Sequence, residues 1–240
     1  MKAIISVFIW IGSILITILL FFVVLVLTIL LFPFDKNKKI THAQCFWWSD
    51  AVIGLNPFWK IKVSGLENLD RKKTYVIIAN HQSMADIAVL YQLKSQFKWV
   101  AKASLFNVPF IGWCLSLIKH IKLNRGDFSS IKEIYYQASN WLRRDMSVLF
   151  FPEGTRSSDG RLGEFQNGAF KLAIREKKPV LPICIKGASD AIPKGSWIFK
   201  TNVAVTVKVL PQITTEGFGP GEFSSLRDIV RARINETLLS

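Results

Sequence analysis

A histidine and an aspartate stand five residues apart in the run Asn80-His81-Gln82-Ser83-Met84-Ala85-Asp86. On one ideal helix that spacing puts them about 140° apart. They meet only if His81 lies in a loop and Asp86 in the first helical turn behind it. Ser83-x-x-Asp86 has the form of a helix start with Ser83 as cap, which favours that arrangement. Asp86 would then accept the Nδ1–H of His81, fix its tautomer and leave Nε2 free as a base. A plain loop histidine followed by an aspartate that complements the helix dipole fits the same spacing, and the pair alone leaves both readings open.

A second polar block is Phe151-Pro152-Glu153-Gly154-Thr155-Arg156-Ser157. Arg156 and, in Asn124-Arg125-Gly126, Arg125 are natural anion ligands, because guanidinium forks match phosphate. Lys102 and Lys186 could add positive charge. Glu153 suits three roles: binding a substrate hydroxyl, holding an arginine in place, or serving as an ion-pair partner. Gly154 permits a tight turn or close backbone approach to a ligand. The chain has no G-x-S-x-G, no P-loop, no H-E-x-x-H and no cysteine placed with a base. A histidine–aspartate pair without a protein nucleophile suggests that the substrate supplies one. A substrate hydroxyl deprotonated by His81 would attack an activated acyl carbon. An oxyanion donor is also expected, and a backbone N–H near the start of the helix after His81 is one candidate; the residues do not single out the group.

The elements that would position these groups alternate. Residues 74–79, 97–101, 120–123, 147–151, 180–185 and 203–210 read as short, mostly buried strands, the last one a candidate edge. Helical stretches cover 84–93, 104–118, 129–144, 165–177 and 225–239. Near-continuous apolar strands with helical crossovers specify a mostly parallel α/β sheet with helices on both faces. In such sheets ligands bind beyond the carboxyl ends of the strands, where every polar block above falls. The apolar stretch Leu105–Ile118 reads either as a core helix or as a wall for an acyl chain.

The chain has 240 residues with 31 Lys+Arg against 17 Asp+Glu, and half of its residues are hydrophobic. That composition excludes disorder. Three distant cysteines, Cys45, Cys114 and Cys184, exclude a disulfide scaffold and indicate a reducing compartment. No Cys or His pair has zinc-ligand spacing, so no metal site is expected. From Ala3 to Phe34 run thirty-two uncharged residues, enough to cross a bilayer and too long for the apolar part of a signal peptide. Thr41–Trp59 carries Phe46, Trp47, Trp48, Phe58 and Trp59, the composition of a membrane interface or of an aromatic core cluster. A spanning helix plus an interfacial one, or a hairpin dipped into one leaflet, both fit. Residues 1–60 are therefore assigned to a membrane-anchoring helical segment and 61–240 to an α/β domain. Lys36, Lys38 and Lys39 follow the apolar run, which places the domain on the cytoplasmic side of the inner membrane. Without a helix-turn-helix, zinc-finger or RNP signature, the positive charge is assigned to membrane and anionic substrates, not to nucleic acid.

Asn80-His81-x4-Asp86 followed by Phe151–Ser157 resembles the glycerophospholipid acyltransferases, specifically the 1-acylglycerol-3-phosphate acyltransferase branch of PlsC type. Val100-Ala101-Lys102 with Pro109-Phe110-Ile111-Gly112, then Leu123-Asn124-Arg125, then Val180-Leu181-Pro182-Ile183 agree in order and spacing. The resemblance covers about residues 60–210 and departs from the usual pattern in Lys122-Leu123-Asn124. It implies that His81 is the general base on the 2-hydroxyl of lysophosphatidic acid, with Asp86 orienting it. It implies that Arg125, Arg156 and Lys102 hold the acceptor phosphate, while Glu153, Gly154 and Thr155 form an acceptor-binding block. The donor would be acyl-CoA or acyl-carrier protein, with no metal or bound cofactor, and the product phosphatidic acid. Glycerol 3-phosphate or another lysophospholipid is the alternative acceptor. A non-catalytic, membrane-tethered anion-binding module is the alternative class.

Overall fold

A computed structural model describes residues 2–124, 128–157, 160–192 and 195–240. Two helices come first, α1 (Lys2–Leu30) and α2 (Lys39–Gly54), followed by β1 (Trp59–Ser64). Then come β2 (Val76–Ala79), α3 (Ala85–Tyr91), β3 (Phe97–Lys102), α4 (Ile111–Leu117) and β4 (Ile121–Leu123). The chain continues through α5 (Phe128–Arg143), β5 (Ser147–Phe150), α6 (Gly168–Arg175), β6 (Val180–Lys186), β7 (Val203–Val209) and α7 (Phe223–Leu239).

The seven strands form one sheet in the order β1-β7-β6-β2-β5-β3-β4. All pairings are parallel except β6 with β7. β2 is flanked by β5 (Ile78 beside Phe150) and by β6 (Ala79 beside Ile183). The carboxyl ends of these three strands therefore adjoin, although they lie far apart in sequence. Two corrections to the sequence reading follow. Residues 203–210 are not an edge, because β7 lies between β6 and β1. The edge on that side is β1, with β4 at the other; β1, a strand absent from that reading, begins at Trp59, where the anchoring segment was expected to end.

The sheet separates two apolar cores. On one face, Ile77, Leu149, Ile183 and the inward valines of β7 pack with α1 to α4. On the other, Val76, Ile78, Val148 and Val180 pack with α5 to α7. The expected helix over 104–118 is broken. Residues Ala103–Asn107 form a 3₁₀ turn, and Phe110 takes φ 61° just before α4 begins. Pro109 is the physical reason, since it cannot continue a helix through this stretch.

The apolar helix α1 is docked against the domain along its length. Ser6 Oγ accepts the Phe199 N–H (2.9 Å), Trp10 Nε1 donates to Trp197 O (2.8 Å), and Trp48 Nε1 donates to Thr17 Oγ1 (3.1 Å). Phe21 stacks edge-on with Phe110 and meets Trp113. Its other side, with Phe8, Leu15, Leu19, Phe22 and Ile29, is exposed. Phe46, Trp47, Trp48 and Trp59 pack against the first core, while Phe58 is exposed.

Where α2, β3 and β4 meet, the interior is polar. His42 is enclosed by the rings of Phe46, Tyr91, Phe97 and His120. Burial, together with the charge of Lys98, pushes its pKa from 6.5 down to about 3. Lys98 is itself buried, donating to Ile118 O at 2.7 Å over the Trp141 ring. Between pH 6.5 and 3 the unfolded chain binds a proton on this histidine that the folded chain refuses, so stability falls as pH drops through that window. The melting temperature should decline between pH 7 and pH 4, and His42→Phe should flatten that decline. Melting curves at a series of pH values measure both; an unchanged slope in the variant would show that other groups control acid stability.

Candidate functional site

His81 lies in the loop leaving β2, and Asp86 lies in the first turn of α3. Asp86 is fully buried, and its Oδ2 is 2.7 Å from His81 Nδ1. The same oxygen accepts the backbone N–H of Gln82 (2.7 Å) and of Ser83 (2.9 Å). An oxygen that already accepts two amides meets the imidazole as an acceptor, so Nδ1 is the donor and, in the neutral ring, Nε2 has the lone pair. Half of the expected capping arrangement is present. Asp86 reaches back to the Ser83 N–H, while Ser83 Oγ accepts from Ala85 N and donates to Ile192 O. Because the Gln82 and Ser83 amides are directed at Asp86, neither points at a reacting oxygen.

The imidazole plane is fixed from below. Phe151 stacks on it at 4.0 Å and 13°, and Trp99 stacks on Phe151 in turn. The backbone around His81 is clamped at three points. Its N–H donates to Glu153 Oε1 (2.8 Å), and its carbonyl accepts the Ser157 N–H (2.9 Å). One residue earlier, the Asn80 amide bonds both the N–H and the carbonyl of Ile185 at the end of β6.

The Pro152–Arg156 loop follows β5, directly beside β2. Gly154 adopts φ +67°, a left-handed conformation, and a Cβ there would meet nothing. The glycine is required by the turn, not by crowding. The second carboxylate oxygen of Glu153, Oε2, accepts the Gly163 N–H at 2.8 Å. Both oxygens of Glu153 are thus engaged by backbone, and burial raises its pKa. Thr155 is exposed and Arg156 half-buried in the same loop. Lys102 is the exposed last residue of β3, and Lys186 the exposed last residue of β6. Arg125 lies outside the described residues.

Beneath this rim opens an apolar cavity of about 780 Å³. His81, Lys102 and Gly154 border it, Leu105, Cys114 and Ile118 contribute from the stretch around α4, and Ile14 and Leu20 from α1. Among the described residues no group of three or more His, Cys, Asp or Glu side chains gathers as metal ligands would.

The sequence reading paired His81 with Asp86 and brought Glu153 near them. It assigned nothing to Phe151, Gly163 or Ser157. The aromatic before Pro152 was a detectable signal. The Gly163 contact, ten residues beyond Glu153 and through its backbone, left no side-chain signal to read.

With the geometry in hand, comparison with known proteins gives a consistent result. The Acyltransferase family model matches residues 60–186. The chain is 34% identical over 193 residues to the 1-acyl-sn-glycerol-3-phosphate acyltransferase of Pseudomonas aeruginosa, covering 80% of this chain and 72% of that one. It is 40% identical over 161 residues to a chloroplastic enzyme of the same name from Arabidopsis thaliana, covering 67% and 45% respectively. The chain spans about half the length of that plant relative and of a Brassica napus one, at 45% and 47%. The crystal structure of the 1-acyl-sn-glycerophosphate (LPA) acyltransferase PlsC from Thermotoga maritima superimposes with a TM-score of 0.73 at 25% identity, covering 96% of both chains. The chain belongs to the acyltransferase family.

Glu153→Gln tests the clamp. The variant keeps the shape but sets an NH₂ group where one amide N–H needs an acceptor, which should shift the His81 loop. A misplacement of about 1 Å can cost about a hundredfold in rate. Steady-state kinetics should show kcat falling by about that factor with the acceptor KM within threefold. A raised KM with unchanged kcat would instead indicate direct acceptor contact.

Proposed function

We propose that this chain is a membrane-associated O-acyltransferase that transfers a fatty acyl group from a thioester to the 2-hydroxyl of lysophosphatidic acid, giving phosphatidic acid. The observation that carries this reading is the buried Asp86 carboxylate holding His81 with Nε2 free at the mouth of an apolar cavity. The names of the bacterial and plant relatives support the acceptor.

In this reading His81 Nε2 removes the proton of the acceptor hydroxyl as its oxygen attacks the thioester carbonyl carbon. Asp86 stabilises the imidazolium that forms. When the tetrahedral intermediate collapses, the C–S bond breaks and the departing thiolate takes the proton back from His81. The thioester is already activated, so positioning is the larger task, a contribution of up to about 7–11 kcal/mol. Arg156 and Lys102, with Arg125, hold the acceptor phosphate; Thr155 and Gly154 form the turn against its glycerol end. The cavity takes an acyl chain, with the segment around α4 as one wall. Neither a metal nor a bound cofactor takes part.

The docking of α1 along the domain from Ser6 to Phe21 supports a helix embedded beside the domain over one that projects away from it. Its exposed apolar side then faces lipid. With Lys36, Lys38 and Lys39 after the helix, this reading puts the site at the cytoplasmic surface of the inner membrane.

Purified protein in phosphatidylcholine vesicles, offered lysophosphatidic acid, glycerol 3-phosphate and lysophosphatidylcholine separately, tests the assignment. Transfer should go to lysophosphatidic acid, and His81→Ala should reduce it by at least about a thousandfold, the upper part of the range for a lost acid–base group. Arg156→Ala should raise the acceptor KM at least about tenfold, since bonds to charged groups contribute about 1.5–3 kcal/mol. Transfer to glycerol 3-phosphate alone would assign a different acceptor, and His81-independent transfer would refute the mechanism.

A further inference from the structure

The face of the sheet that carries α5 to α7 is covered only in part. Those helices pack on β4, β5, β2 and β6, and Cys184 on β6 is accordingly buried. On that side of the two remaining strands, β7 and β1, the residues Lys60, Lys62, Ala204 and Lys208 are exposed. Register puts Lys60 beside Ala204, Lys62 beside Thr206, and Ser64 beside Lys208, while Lys186 lies across from Thr206 on β6. Paired residues share a face, so Lys60, Lys62, Lys186 and Lys208 form one cationic field, and all four are exposed. Among the described residues none of them has an acidic partner.

Lysines on an edge strand deter sheet-to-sheet aggregation, which would account for β1. It does not account for Lys208, because β7 is an interior strand, nor for Lys186 on β6. The field is also placed with respect to the site. Lys186 directly follows Ile185, the residue whose backbone Asn80 clamps next to His81, so one end of the field reaches the catalytic rim. α1 and α2 belong to the core on the opposite face of the sheet. The lysines therefore point away from the side that carries the exposed apolar residues of α1.

A cationic surface that faces water and borders the site fits an anionic macromolecule arriving from solution, not a lipid surface. We propose that the β1–β7 face docks an acidic protein that carries the acyl group as a thioester on a flexible arm, an acyl-carrier protein. This rests on the acyl-transfer reading of the site and selects between its two donors. Charge complementarity of this kind acts mainly on association rate and weakens with salt.

The test uses the full chain in phosphatidylcholine vesicles, with Lys60→Glu/Lys62→Glu/Lys208→Glu as variant. Lys186 is left intact because of its place at the rim. A Gln version of the same triple serves if charge reversal impairs folding, judged by melting temperature. Acylation of lysophosphatidic acid is measured with palmitoyl-carrier protein and with palmitoyl-CoA at low and high salt. The wild-type kcat/KM with the carrier protein should fall steeply with salt. The variant should lose at least about tenfold with the carrier protein and less than twofold with palmitoyl-CoA. Equal losses with both donors, no loss with either, or a wild type that does not use the carrier protein would each overturn the proposal. So would a variant that loses only binding to phosphatidylglycerol vesicles. Failure of the acyl-transfer reading itself would look different: no His81-dependent transfer from either donor.

Discussion

One carboxylate oxygen organises the catalytic end of this molecule. Asp86 Oδ2 receives the imidazole of His81 and two consecutive backbone amides, and it is fully buried. Three donors converge on Oδ2, while Oδ1 has no partner among the described residues. A buried carboxylate is costly unless donors meet it. That requirement bends the chain between β2 and α3 into the one shape in which residues 81, 82 and 83 all face residue 86. Rotation of the histidine would leave Asp86 Oδ2 with its two amide donors alone, so the ring takes part in holding the turn. Glu153 applies the same logic from the neighbouring strand, with an amide on each oxygen. Two carboxylates thus hold the His81 loop through backbone amides, and Asp86 holds the imidazole as well.

Strand order makes this possible. Glu153 is 72 residues from His81, and Ile185 is 105 from Asn80, yet β5 and β6 are the two neighbours of β2. Glu153 and Ile185 hold the loop from strand ends one position away while Asp86 holds it from α3, so the site is tied to the centre of the sheet. The position of a histidine in a loop is thereby defined. The cavity below brings a second constraint, since its walls come from both α4 and α1.

Much of this was legible in the residues. The apolar runs located six strands because buried parallel strands have no polar face to confuse the pattern. The five-residue spacing of His81 and Asp86 admitted only one geometry in which they meet. β1 was equally legible in retrospect. Trp59-Lys60-Ile61-Lys62-Val63-Ser64 alternates with period two, but its aromatic start merged with the preceding Trp-rich helix. The break before α4 was marked by Pro109 inside an otherwise helical pattern. Strand order was not legible, because it is decided by which crossovers pack best over the whole sheet. The backbone contacts of Glu153 were hidden for a related reason: an amide N–H is present at every residue but proline and marks no position. α1 could be seen to be apolar, but a helix apolar all round does not disclose which stripe it buries.

That last helix has a consequence in time. Its partners Trp197 and Phe199 lie 187 and 193 residues further along the chain. At roughly 5–20 residues per second of synthesis, about ten to forty seconds separate the helix from the surface it finally covers. During that interval the part of the stripe later buried against Trp197 and Phe199 lacks its final cover, and in the membrane setting proposed above lipid would provide it. Completion of the domain would then be an exchange in which acyl chains leave a groove that protein side chains enter. The helix made first is thus among the last to be fully packed, and its burial against Trp197 and Phe199 waits on the far end of the chain.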